Sequence, residues 1–576
     1  MTTATATSTD TDTDTDTDTD TDTNYSPEST AAAAAGGVNV NNAGLAIMTV
    51  LRSYGIDTIF GIPGTHNLEF YRPLGRLGIR PVTTRHEQGA SYGSDGWSQQ
   101  TGLPGVVITT SGPGLLNALS GAGTAYCESR PMILLSPGVA EGSEFADNGA
   151  LHETKDSTGA AGAIVEWSRR VTSASDAVNA VHDAFELFRY GRPRPVHIEI
   201  PLNVLESASN CPEELLQARP ERPRVAADAA AVERAAEVLA AAVHPVIIAG
   251  GGASRIGSEL TALAESLNAP VVTTLNGKAS IPESHPLSLA SEIRLPVIHE
   301  LINQSDAVLI IGSKLGEAEL WGGVIAPAGT VIRIDVLESQ LNKNVASDIG
   351  LVGDSAVIVG QLRDALTART ITGSATTAAE LAAVRDTAVR EAQEVSPTLH
   401  RVATLINDAI PENAIVAGDS SQITYFGMAS VVRQQASHSF LYTPAYATLG
   451  YGLPSAVGAK VAAPDRPVVC VLGDGALMFA VQEFATAIEQ GLDLTIVCVD
   501  NGGYAEINQN ERDRGITPVG VVLAQPNWSV LSAAFGGHGF SVTDPTQLTD
   551  TVAQAIATPG LALVHVPLAV FDAPNA

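Results

Sequence analysis

The chain of 576 residues has no apolar run approaching the roughly 18–20 residues that a membrane-spanning helix needs, which excludes an integral helical membrane protein. It is short of basic residues, with 32 Lys and Arg against 62 Asp and Glu and a formal charge of −30. A surface that negative repels nucleic-acid phosphates and anionic membranes, so neither is an expected partner. Cysteine is scarce and scattered: Cys127, Cys211, Cys470 and Cys498 form no CxxC pair and have no histidine at zinc spacing, so they read as small core residues in a reducing compartment. No Lys or Arg precedes Arg52 and no apolar h-region opens the chain, so a signal or transit peptide is not expected. A cytoplasmic location follows by default.

What is present argues for large folded cores. Hydrophobic residues make up 45% and charged residues 16%, enough to bury several domains. Residues 1–37 stand apart, with an alternating Thr-Asp tract from Thr9 to Thr23 that lacks bulky apolar partners and is expected to be a disordered, solvating tail. From residue 38 to 209, short aliphatic runs such as DTIFGIPG (57–64), PGVVITTSGPG (104–114), PMILLSPG (131–138) and PVHIEIP (195–201) alternate with helix-length segments. Runs of this kind indicate parallel sheets covered on both faces. The Pro-rich stretch 210–226 reads as a linker. A second unit at 227–372 holds PVIIAGGG, PVVTT, DAVLIIGS and TVIRIDV; a third, 393–576, holds AIVAGD, PVVCVLGDG and LTIVCVDN, with Ser396-Pro397 opening a helix. The expected architecture is α/β, three doubly wound parallel-sheet domains after an acidic tail. Pro104-Gly-Val-Val-Ile…Gly112-Pro-Gly114 and Pro467-Val-Val-Cys…Gly473-Asp-Gly475 are alike in pattern, which suggests that the first and third units share a construction and divide one active site.

The chemistry concentrates at Gly473-Asp474-Gly475 and Asp500-Asn501-Gly502-Gly503. Each follows an aliphatic strand, and Met478 to Gln490 between them reads as a crossover helix. The crossover brings Asp474 and Asn501 to the carboxyl ends of adjacent parallel strands, the edge at which open α/β sheets bind ligands. One carboxylate and one amide oxygen suit Mg²⁺, completed by backbone oxygen, water and substrate phosphates, and free N–H groups past Gly475 suit a diphosphate. Either turn alone is an ordinary strand end.

With these residues in view, the chain resembles the thiamine-diphosphate enzymes of the acetolactate synthase and 2-oxo acid decarboxylase group, in unbroken order over about residues 38–570. Their signature is GDG followed by Asn-Asn, here Gly473-Asp474-Gly475 and Asp500-Asn501, with Asp500 departing from the pattern. The resemblance implies thiamine diphosphate and Mg²⁺ as cofactors, with Asp474, Asn501 and the carbonyl of Gly503 as metal ligands. It makes Glu87, in TTRHEQGA (83–90), the catalytic carboxyl that bonds the aminopyrimidine and favours its imino tautomer. Leu449 is the wedge that bends the cofactor, Ala447 offers its carbonyl to the aminopyrimidine, and Ser420, Ser421, Gln422, Gly475, Ala476 and Tyr504 line the cofactor. Thr65 and His66 in GIPGTHNLEFY (61–71), with Glu506 and Ile507 after the Asn501 turn, face the substrate. His66 is either a proton shuttle or a structural turn residue, and Glu506 either holds a cationic substrate tail or is a surface acid. Two chains build each site in that family, so a homodimer or homotetramer is expected. FAD, carried in the middle domain by acetolactate synthases, is possible but not favoured, because GGGASRIG (250–257) lacks a clean GxGxxG.

The implied reaction is loss of CO₂ from a 2-oxo acid through a C2-carbanion and enamine. GIPGTHNLE, LHETKD (151–156) and NGGYAEI…RGITPVGV (501–521) look most like the 5-guanidino-2-oxopentanoate decarboxylases. Tyr126-Cys-Glu-Ser-Arg130 lacks the paired histidines of pyruvate decarboxylases. The alternatives are an acetolactate-forming carboligase, a nucleotide-binding oxidoreductase resting on GGGASRIG alone, and a non-catalytic paralogue. The last requires Glu87, Asp474 or Asn501 to be replaced, and all three are present.

Overall fold

A computed structural model describes residues 41–571; the Thr-Asp tract lies outside them. Every strand runs parallel to its neighbours. The first sheet contains β1 (Thr58–Gly61), β2 (Arg80–Thr83), β3 (Gly105–Ile108), β4 (Met132–Gly138), β5 (Trp167–Arg170) and β6 (Val196–Pro201) in the order β2-β1-β3-β4-β6-β5. The middle sheet contains β7 (Pro245–Ala249), β8 (Val271–Thr273), β9 (Ala307–Ile311), β10 (Thr330–Asp335) and β11 (Ile349–Val352) in the order β11-β10-β9-β7-β8. The third contains β12 (Ile415–Gly418), β13 (Phe440–Leu441), β14 (Val468–Gly473), β15 (Leu494–Asp500), β16 (His538–Ser541) and β17 (Leu561–Pro567) in the order β13-β12-β14-β15-β17-β16. Counted within its own unit, the third sheet has the strand order of the first. The likeness between the two local sequence patterns therefore extends to the whole winding.

The central strands are buried along their length because both faces are covered, which is why they read as continuous Val/Ile/Leu runs. The middle unit has its own core. The first and third share one: residues such as Phe60, Val107 and Leu134 belong to the same packed cluster as Tyr451, Leu453 and Phe484. The seam is the crossing of α1 (Glu87–Thr101) over α3 (Gly452–Ala462); α2 (Pro113–Glu128) packs beside α1. The crossing is close because it is made of glycine. A Cβ on Gly458 would lie deep inside Gly93 O, and one on Gly96 inside Ser455 O.

Ser396 stands at the N-cap of Pro397–Asn407, as its sequence predicts, although without a side-chain cap bond. The crossover after Gly473 departs from expectation. Instead of one helix over Met478–Gln490 there are two short ones, α4 (Asp474–Leu477) and α5 (Glu483–Glu489), joined by turns. Phe484 is buried, but Met478 and Phe479 are 48% and 45% exposed, so this apolar pair does not join the helix's inner face.

Replacing Gly458 with Ala should destabilise the protein by about 2–4 kcal/mol, the scale of overpacking where backbone cannot yield. Denaturant unfolding checks this; a loss under about 0.5 kcal/mol would mean that the seam is looser than described.

Candidate functional site

Two clusters of the expected residues form, one at the carboxyl edge of each outer sheet. In the first, Glu87 begins α1 behind His86, whose ring nitrogen accepts from Gln88 N at the N-cap. The Glu87 carboxylate is buried and accepts from Asn117 Nδ2 at 3.0 Å. Gly114 leaves room for it: a Cβ there would stand 3.2 Å from Glu87 Oε1 and 2.8 Å from Thr110 Cγ2. Two hydroxyls close by, Tyr71 Oη and Thr109 Oγ1, are buried with no hydrogen-bond partner among the described residues. Burial and the neighbouring Glu87 raise the Tyr71 phenol far above its usual range, keeping it a neutral donor.

Thr65 and His66 sit in the turn after β1. Thr65 is exposed, whereas His66 is half-buried and its Nδ1 lies 2.7 Å from Ser111 Oγ. The His152 ring stands edge-on to it at 5.3 Å between centroids. The sequence alone gives His152 no role, and LHETKD carries only a likeness. The chain thus has a histidine pair, assembled from two distant loops.

The second cluster lies on the third sheet. Asp474 and Asn501 end neighbouring strands, with Asn501 N donating to Asp474 Oδ1 at 3.3 Å. Gln525 Nε2 holds Asp474 Oδ2 at 2.6 Å. Burial and the nearby Asp500 push the Asp474 carboxyl up to about 6, a shift that a bound cation reverses. Asp500 titrates below its usual range: burial opposes ionisation, but the bond to His565 Nε2 at 2.9 Å and that from Gly502 N prevail. Asp500 therefore anchors the turn.

One end atom of the Asn501 amide lies 2.9 Å from Gly503 O and 3.1 Å from Asp474 Oδ1. A nitrogen at that end donates to both. An oxygen there stands from each of the other two acceptors at about the edge length of an octahedron whose metal–oxygen bonds are about 2.1 Å, the Mg²⁺ length. Among the described residues no group of three or more His, Cys, Asp or Glu is gathered for a metal, so this mixed set is the hard-cation candidate. Gly503 must be glycine: its φ is +140° and a Cβ would clash with Val521 O. Its carbonyl is aimed by a short antiparallel bridge, Tyr504 N to Val521 O at 2.9 Å and Leu523 N to Gly502 O at 3.0 Å. The Tyr504 ring covers Gly475, and Ala476 is buried behind it.

Ser421 Oγ accepts from Gly473 N at 3.0 Å. Ser420 N donates to Asp419 Oδ1 at 2.8 Å, as Gly450 N does at 3.1 Å, while Gly452 N reaches Oδ2 at 2.7 Å. Burial nonetheless pushes Asp419 up to about 6. This aspartate, missed from sequence, ties the serine turn to the Ala447–Leu449 loop. Ala447 holds a left-handed φ of 51° and Leu449 is half-buried against the core shared by both sheets. The loop is gripped from the first unit of the same chain: Glu128 Oε1 accepts from Ala445 N and Tyr446 N at 2.9 and 3.1 Å, and Thr448 meets Tyr92 Oη at 2.9 Å. Gln422 precedes a π-helix over Ile423–Met428, a rare geometry concentrated at functional sites. On α6 (Ala505–Asp513), Glu506 points inward, accepting from Gln422 at 3.0 Å, Asn510 at 3.2 Å and Tyr425 at 3.3 Å, while Ile507 is 52% exposed.

The chain matches the thiamine pyrophosphate enzyme families in three stretches: the N-terminal TPP binding domain over residues 41–159, the central domain over 232–362 and the C-terminal TPP binding domain over 422–566. It is 37% identical over 501 residues to a protein of Pseudomonas aeruginosa named "Probable 2-ketoarginine decarboxylase", covering 86% of this chain and 88% of that one. It is 30% identical over 532 residues to "Probable acetolactate synthase large subunit" of Methanocaldococcus jannaschii, covering 89% of each. It is 29% identical over 539 residues to the acetolactate synthase isozyme 3 large subunit of Escherichia coli, covering 88% of this chain and 91% of that one.

Gly503→Ala should open the Gly502–Leu523 bridge. Hydrogen exchange at Tyr504 N and Leu523 N is expected to speed at least tenfold, and unchanged exchange would contradict the steric account.

Proposed function

Because the chain belongs to the thiamine pyrophosphate enzyme family, we propose that it decarboxylates a 2-oxo acid bearing a cationic, guanidino-type tail, using thiamine diphosphate and Mg²⁺. The observation that carries the reading is the pairing of a buried carboxyl, Glu87, on one sheet with the Asp474–Asn501–Gly503 oxygen set on its like-wound counterpart. When bound, the thiazolium supplies the electron sink that lets CO₂ leave. The chain's own residues supply the rest.

Asp474 and the Asn501 and Gly503 oxygens would hold the metal, with Ser420, Ser421, Gln422 and Gly475 around the diphosphate. Glu87 would hold a proton at the aminopyrimidine. Its burial supports this role, because a dry carboxyl shares its hydrogen bond with the ring rather than with water. Leu449 and the left-handed Ala447 would fix the cofactor's bend.

The two half-sites are best completed by a second chain. Each is edged by bare apolar side chains: Leu116, 45% exposed, is next to Asn117 on one; Tyr446, Met478 and Phe479, 43%, 48% and 45% exposed, stand near Asp474 and Ala447 on the other. Surfaces of this kind mark association sites, and a two-fold dimer sets each against its complement. The proposed domain limits are 38–209, 227–372 and 393–576, with the helix Ala378–Val395 packing Leu381, Ala388 and Ala392 on the middle core.

The cationic substrate rests on Glu506, whose carboxylate lies beside Gln422 and Tyr425, and on the relative named for 2-ketoarginine. The test is product analysis by mass spectrometry with a panel of 2-oxo acids, plus thiamine diphosphate and Mg²⁺. Aldehyde and CO₂ are expected from the guanidino acid, and Glu87→Gln should lower the rate at least 100-fold. Acetolactate from pyruvate instead would assign the carboligase chemistry named for the other relatives. Glu506→Gln should raise KM about 10- to 100-fold for the guanidino acid and little for a branched acid, a charged hydrogen bond contributing about 1.5–3 kcal/mol. Equal effects on both acids would remove Glu506 from substrate recognition.

A further inference from the structure

We propose that His152 works with His66 through Ser111 as a proton relay that serves the carbon left behind by CO₂. The idea rests on the decarboxylase reading above, and concerns a residue to which that reading gives no part.

Geometry carries it. Ser111 Oγ lies 2.7 Å from His66 Nδ1 and 3.4 Å from His152 Nδ1, with Thr110 Oγ1 3.5 Å from the same His152 nitrogen. The second link is long, as catalytic hydrogen bonds often are before ligand binds. Neither imidazole Nε2 has a hydrogen bond among the described residues, so each ring has one nitrogen engaged with the serine–threonine pair and one available. The cluster adjoins Glu87, since Gly114 has Thr110 on one side and the Glu87 carboxylate on the other.

The chain holds His152 there under strain. Within one irregular loop, Phe145, Asp147 and His152 have left-handed φ values of 58°, 47° and 61°. The His152 carbonyl is seated against Gly112, itself at φ +60°, where a Cβ would collide with it. Non-glycine residues keep such conformations where the surroundings impose them, most often at functional sites.

Decarboxylation needs one proton per turnover: R–CO–COO⁻ + H⁺ gives R–CHO + CO₂. The relay supplies it without net change to the serine. His66 Nε2–H gives its proton to the carbon, forming the C–H bond. Ser111 passes its hydroxyl hydrogen to His66 Nδ1 and takes the Nδ1 proton of cationic His152. His66 ends neutral as the Nδ1–H tautomer and His152 ends neutral with its Nε2–H kept; the relay resets when His66 takes a proton from solvent at Nε2 and its Nδ1 proton returns through Ser111 to His152 Nδ1.

Burial, and after it the facing His152, holds His66 below the usual imidazole range, while Glu206 at the end of the helix Leu202–Glu206 acts the other way. Removing His152 should therefore raise the His66 titration point.

The experiment compares wild type, His152→Gln and Ser111→Ala in single-turnover mixing with the guanidino acid, following CO₂ and aldehyde separately. It adds ¹³C-histidine NMR titration of the cofactor-free protein. Both variants should release CO₂ at the wild-type rate and aldehyde at least tenfold more slowly. His152→Gln should move the His66 resonance to a higher titration point. Aldehyde release at the wild-type rate, or CO₂ and aldehyde slowed together with weakened thiamine diphosphate binding, would overturn the relay and leave His152 a structural residue. If wild type released no CO₂ from any 2-oxo acid, the decarboxylase reading would fail instead. The relay would fall with it, whereas an unchanged His66 titration in His152→Gln would overturn the relay alone.

Discussion

The molecule depends on one buried cation. Arg130, at the end of the first unit's α2, donates from one guanidinium nitrogen to Asp95 at 2.7 Å and Tyr451 Oη at 3.1 Å. From the other it donates to Tyr442 O at 2.7 Å and Asn276 Oδ1 at 3.1 Å. Those four acceptors belong to all three units. Asp95 in turn accepts from Tyr451 at 2.7 Å and from Gln99 at 3.0 Å, so its charge is met from several sides. A buried pair of this kind contributes little to net stability against an apolar substitute, yet losing one partner costs about 3–5 kcal/mol. Its contribution here is register: it fixes where α1 crosses α3 and thus where the loop Thr443–Leu449 sits.

From that seam the site follows. Glycines let α1 and α3 touch, Glu128 and Tyr92 grip the Ala447 loop, and Asp419 ties the loop to the serine turn. The first unit thereby shapes the serine-turn cluster of its own chain, while Glu87, the carboxyl proposed as catalytic, lies on the first unit's own edge beside Asn117 and Gly114. A fold duplicated in one chain supplies two different edges, one bearing a carboxyl and histidines, the other the oxygens of Asp474, Asn501 and Gly503 proposed to hold a cation.

Much of this is legible in the sequence because parallel strands buried on both faces must be continuous aliphatic runs, and because GDG and Asn-Gly-Gly sit where such runs stop. β2, β5 and β16 are not legible: they lie at or near sheet edges, and runs such as WSRR and HGFS carry polar residues that a covered strand would not. The break after Leu477 escapes notice because Met478 and Phe479 look like the apolar face of a helix, whereas they are left bare at the half-site's rim. His152, Asp419 and Gln525 act through contacts 41, 33 and 51 residues away in the chain. Only the folded chain brings them to the site.

The central claim is that Glu87 of one chain works with Asp474 of another. It is tested most directly by mixing two inactive variants, Glu87→Gln and Asp474→Asn, after dissociation and reassociation. In a mixed dimer one site then receives both intact residues and the other receives neither. The account predicts recovery of about a quarter of wild-type activity from random reassociation, since half the dimers are mixed and each has one good site. No recovery, with mixed dimers demonstrated to form, would place both residues in a site made by a single chain and contradict the account.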